Sequence, residues 1–195
     1  MTSDRSAEPK RTCRGLARVI QHRRQSSLRR RALAAGKLKR QSQYFYFMAI
    51  WQFDISFVPR GGPMPWLVDG GHECPSLPEA VAVNAHAWLL TNLDEPWQMF
   101  DDWFVFGHAQ GNRFDFIFNE DRSANLSARV DVGSRHDLFI STVCELASVT
   151  GCLLFSAEHW SSIEPTVAEL SSSIRASRAF RYVRDPRSVL GGTDD

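Results

Sequence analysis

Hydrophobic and polar residues alternate from Ile50 onward. Trp51, Phe53, Ile55 and Phe57 fall on one side and Gln52, Asp54 and Ser56 on the other, the pattern of a half-buried strand. The run Pro59-Arg60-Gly61-Gly62-Pro63-Met64-Pro65 breaks regular structure, because proline lacks a donor and glycine accepts positive φ, and a loop is expected to continue to Pro75. Ser76 and Glu79 have capping-box spacing, so a helix is predicted from there to Leu90, with Leu77, Val81, Ala85 and Trp88 on its apolar stripe. Thr91 to Pro96 closes it.

Strands are then predicted at Trp103–His108, Arg113–Phe118 and Leu126–Val132. A turn at Ala109-Gln110-Gly111-Asn112 joins the first two. Phe114, Phe116 and Phe118 share one face, as do Leu126, Ala128, Val130 and Val132. Ser134 reads as the cap of a second helix, which presents Ile140, Val143, Cys144 and Ala147 and ends at Gly151. The apolar run Cys152–Phe155 predicts a strand covered on both faces. A third helix is expected from about Ile163 to Ser177, carrying Ile163, Val167, Leu170 and Ile174, and a last short strand at Phe180–Val183. This order predicts an α+β fold: a mostly antiparallel sheet of about five to six strands with two to three helices packed on one face.

Charge divides the chain. Residues 1–47 hold 13 Lys or Arg against Asp4 and Glu8, a net of +11, whereas residues 48–195 hold ten Arg against 20 acids, a net of −10. The expected organisation is a disordered Arg-rich extension at 1–47, one domain at 48–190 and a frayed tail at 191–195. The extension has three readings: an upstream stretch ahead of a true start at Met48, a basic arm for nucleic acid, or a targeting peptide or solvated tail. All three lysines, Lys10, Lys37 and Lys39, lie within it, so the domain has no P-loop lysine, Schiff-base lysine or Ser-Lys dyad.

Motifs of catalysis are missing from the remainder. There is no G-x-S-x-G elbow and no glycine-rich phosphate cradle. His72-Glu73-Cys74 is one cluster where a structural zinc site needs two, and Cys144 and Cys152 read as packing residues, so no metal and no cofactor are expected. His108, His136 and His159 each have a local role as turn flank, helix start or strand end. Four cysteines without paired spacing suit a reducing cytosol, and no apolar run is long enough to span a membrane.

What stands out is an acidic, aromatic segment. Asp94, Glu95, Asp101 and Asp102 flank Trp97, a combination suited to a protein interface, with tryptophan as anchor and carboxylates selecting a basic partner. The leading expectation is a non-catalytic cytosolic protein that binds a protein partner through these five residues. One alternative is a small hydrolase or other enzyme using His72, Asp101, Asp102 or His108; another is a nucleic-acid binder acting through residues 1–47. With Arg113–Phe155 read as scaffold, function is expected in the segments Pro59–Pro75 and Asp94–Asp102.

The opening Trp51-x-Phe53-x-Ile55-x-Phe57 strand, Arg129-x-Asp131 before a helix, and the closing Ser177–Pro186 segment resemble the small α+β immunity proteins of bacterial polymorphic toxin systems. That resemblance implies a protein that neutralises a toxin, here a basic one, by covering its active site.

Overall fold

The computed structural model describes residues 49–190. The expectations for residues 1–47 and 191–195 lie outside them. The described residues form an antiparallel seven-stranded sheet, a separate two-stranded hairpin and five helices, so the fold is α+β, with more strands and helices than the pattern predicted.

The strands are β1 (Gln52–Pro59), β2 (Trp66–Val68), β3 (Gly71–Glu73), β4 (Trp97–Phe100), β5 (Trp103–Gly107), β6 (Arg113–Phe118), β7 (Ala124–Asp131), β8 (Cys152–Ser156) and β9 (Ser161–Ile163). The helices are α1 (Glu79–Asn92), α2 (Asp137–Val149), α3 (Val167–Ala176), α4 (Arg178–Arg184) and α5 (Pro186–Leu190). Sheet order is β4-β5-β6-β7-β1-β8-β9, so β1, first in the chain, inserts between β7 and β8.

One face of the sheet carries the core. Phe53, Ile55 and Phe57 of β1 join Phe114 and Phe116 of β6 and Leu126, Ala128 and Val130 of β7 in a single buried cluster. Against them pack Ala82, Ala85 and Leu89 of α1, Ile140, Val143, Cys144 and Ala147 of α2, and Leu170 and Ile174 of α3. Small alanines let α1 approach closely, and period-two alternation holds every contributing strand residue on that side. Gly151 ends α2 with φ of 65°, as its position predicted.

Several local expectations are corrected. Ser76 does not cap α1: Leu77 is held in a two-way backbone bridge with Ala124, the helix starts after Pro78, and the Ser76 hydroxyl donates to Asn125 Oδ1 at 2.9 Å. Ser134 does not cap α2 either, since its hydroxyl donates to the Asp131 carbonyl. Trp51 precedes β1 and stands exposed. The expected loop to Pro75 contains the β2–β3 hairpin, and the expected third helix begins only at Val167, because Ile163 belongs to β9 and Thr166 caps α3 by accepting from the Glu169 amide.

Phe180–Val183 is helical rather than a strand. β9 already occupies the sheet edge beside β8, and Ser177 links two helices by donating to the Ile174 carbonyl at 2.6 Å and accepting from the Phe180 amide at 3.1 Å. No described helix is long and apolar enough to cross a membrane.

Candidate functional site

The acidic segment forms an edge. β4 pairs only with β5 among the described residues, and Asp101-Asp102 make the turn between them. Asp94 and Glu95 lie just before β4, so two acid pairs bracket a strand four residues long. Its first and last residues are Trp97 and Phe100, 36% and 43% exposed. Asp94, Glu95 and Asp101 are exposed and Asp102 is half-buried.

This rim is held in shape. The Trp97 indole donates to the Gly107 carbonyl at 3.1 Å across the hairpin. The Gln98 amide donates to the Asp101 carbonyl at 3.0 Å, and the Phe118 backbone amide donates to the Asp102 carbonyl at 2.9 Å. The Phe100 ring packs on Trp103 with centroids 5.9 Å apart. A register shift between Gln98 and Phe100 distorts the outer edge, a device that disfavours addition of another strand.

A second constellation lies on the sheet face away from the helices, and sequence patterning did not single it out. Asp54, Arg129 and Arg113 are register partners across β1, β7 and β6. Arg129 grips Asp54 side-on, Nε to Oδ1 at 3.0 Å and Nη2 to Oδ2 at 3.4 Å. Arg113 donates from Nε to Asp115 Oδ2 at 3.0 Å and from Nη1 to the Ala109 carbonyl at 2.8 Å, and Trp103 Nε1 donates to Asp115 Oδ1 at 2.9 Å. Burial pushes the Asp54 carboxyl up while the Arg129 guanidinium works against it. The signal was polar residues at alternate positions, Gln52, Asp54 and Ser56 on β1, Arg113 and Asp115 on β6, Arg129 and Asp131 on β7, which reads equally as a solvated face.

His72 and Cys74 bring the β2–β3 hairpin over this face beside β8 and β1. The His72 ring lies 6.0 Å from Phe155 and meets Trp160 edge-on at 6.2 Å. Burial lowers its affinity for a proton, opposed by Asp54. Cys74 hydrogen-bonds with Ser56, and burial raises its thiol; burial pushes the Cys144 thiol up to about 11. Both cysteines are thus poorly suited to act as thiolate nucleophiles near neutral pH. Met64, Leu67 and Trp160 leave an exposed apolar ridge around the hairpin.

The four residues weighed for catalysis do not converge. Asp101 and Asp102 sit before β5 and His108 after it, about 20 Å or more apart at ~3.4 Å per residue. His72 lies beside β8, four strand positions from β5. Among the described residues no group of three or more His, Cys, Asp or Glu could hold a metal ion. No family model, no curated protein and no solved structure matches the chain.

Proposed function

We propose that this protein binds a basic protein partner in the cytosol through the rim of β4, with Trp97 and Phe100 as anchors and Asp94, Glu95, Asp101 and Asp102 selecting cationic side chains. The observation that carries this reading is the arrangement of the rim: two exposed aromatics at the ends of an edge strand, each flanked by an acid pair, tied down by the Trp97–Gly107 and Gln98–Asp101 hydrogen bonds. Preorganised aromatics supply binding energy at small entropic cost, and carboxylates around them steer and select. On the sheet face away from the helices, Arg113 is paired with Asp115 and Arg129 with Asp54. The immunity-protein reading suggested by the resemblance fits within this proposal, with a basic toxin as the partner.

The test uses the full chain as bait in parallel with a Trp97→Ala, Phe100→Ala variant. A stoichiometric basic protein captured by the former and lost by the latter is expected. Equal capture by both baits, or no stoichiometric protein on either, would overturn the reading.

A further inference from the structure

The acidic rim has a counterpart on the same chain. Arg175, Arg178, Arg181, Arg184 and Arg187 recur at every third position from the end of α3 through α5, and all five are exposed. Only one acid, Asp185, interrupts them, whereas residues 48–174 hold five arginines and 17 acids. The two regions treat their arginines differently. Of the five in the sheet region, four are ion-paired: Arg60 with Glu164, Arg113 with Asp115, Arg122 with Glu79 and Arg129 with Asp54. None of the five on α3–α5 has an ion pair among the described residues.

These charges form a surface rather than a scatter. At about 100° per residue, Arg178, Arg181 and Arg184 span an arc of about 120° on α4, and the buried Ala179 points away from it. The Arg184 guanidinium rests 5.3 Å from the centroid of the Phe180 ring, which restrains it. α4 starts beside the β8–β9 connection, where Glu158 accepts from the Arg178 amide. β4 is the other edge of the sheet, six strand positions from β9, or about 29 Å at ~4.8 Å per step.

We propose that copies of this chain associate head to tail, the arginine stripe of α3–α5 in one copy seated against the acidic rim of β4 in the next. Charge complementarity identifies the occupant: none of the five arginines has an ion pair among the described residues, and the rim displays Asp94, Glu95 and Asp101 around two exposed aromatics. Arginine suits this contact, since its planar fork pairs with carboxylates bidentately and stacks on aromatic faces. The chain's formal net charge of +1 means that no strong monopole repulsion opposes association. Because two different surfaces meet, a single stripe–rim contact propagates into rings or open chains, while two reciprocal contacts close a two-fold dimer. The rim is shared with the partner site proposed above, so a basic partner and a second copy exclude one another, but the contact between copies stands whether or not that partner exists.

Sedimentation velocity of the full chain alone tests this, over a range of concentrations at about 20 mM and about 300 mM salt, where screening lengths differ roughly fourfold. The expected result is mass that rises with concentration at low salt and returns to monomer at high salt. Reversing Arg178, Arg181 and Arg184 to Glu should abolish association, and adding Glu95→Arg and Asp101→Arg to the same chain should restore it. If the reversed chain loses its helical dichroism, the milder Arg178→Gln, Arg181→Gln, Arg184→Gln variant reads the same contact and should weaken association at least tenfold. A wild-type chain monomeric at low salt, association that survives these changes, or reversal of the rim without rescue overturns the proposal.

Discussion

Arg113 and Arg129 stand directly opposite one another on β6 and β7, two like charges on one face of the sheet, each held by a different aspartate. Directly opposed cations destabilise a strand pair, so Asp115 and Asp54 are what make the arrangement tolerable. The Arg113–Asp115 pair has both side chains only 8% exposed. Removing one partner strands the other, and Asp115→Ala is expected to destabilise the fold by about 3 kcal/mol, read as a lower urea midpoint. Replacing both residues with apolar side chains of similar volume should cost much less. A double variant as unstable as Asp115→Ala alone would contradict this account.

The strands that carry this face were legible because each has an unbroken period of two. Phe53, Ile55 and Phe57, Phe114 and Phe116, and Leu126, Ala128 and Val130 all face the helices as their alternation predicts. Short elements were not legible. β2, β3 and β9 have three residues each, too few for any period, and β4 is mostly exposed, so it lacks a buried stripe. At α4, β-favouring Phe180, Tyr182 and Val183 concealed arginines at helical spacing. The acids and Trp97 of the rim were readable as composition, but their placement around a sheet edge depends on which strand ends up outermost, a tertiary fact.

His86 sits among Phe104, Phe106, Phe116 and Phe118, with ring centroids 5.1 to 6.0 Å away, and its Nε2 is buried without a hydrogen-bond partner. Burial holds the ring below its ordinary value of 6.5, so the folded state keeps it neutral and the unfolded chain takes up the proton first. Its contribution to stability is complete above 6.5 and is lost as pH falls through the depressed folded value. His72, lowered by burial and partly opposed by Asp54, acts in the same direction. Urea midpoints should therefore fall between about pH 7.5 and pH 5.5, and less steeply in His86→Leu. An unchanged slope would remove His86 from the account.

Gly107 has φ of 112°, where side chains are strained, and a Cβ there would lie 2.5 Å from the Asn112 carbonyl oxygen. Its own carbonyl accepts the Trp97 indole, so the same residue closes the β5–β6 turn and seats an anchor of the rim. Gly107→Ala is expected to cost about 2 kcal/mol, and thermal melting measures the loss. A melting temperature within error of wild type would show that the turn relaxes without strain.

Ser177 has no exposed surface and joins α3 to α4, its hydroxyl donating to the Ile174 carbonyl and accepting from the Phe180 amide while its backbone donates to Ile174 and accepts from Arg181. Ser177→Ala should cost about 1–2 kcal/mol, since it removes a cap and leaves a buried carbonyl and amide with weaker partners. The damage should be local. Hydrogen exchange is expected to accelerate in α4 and α5 while β1, β6 and β7 keep their protection, because only the helical segment depends on this link. Loss of protection throughout the sheet would mean instead that α4 is required for the core, a result that the contribution of Ala179 to the buried cluster makes worth measuring alongside it.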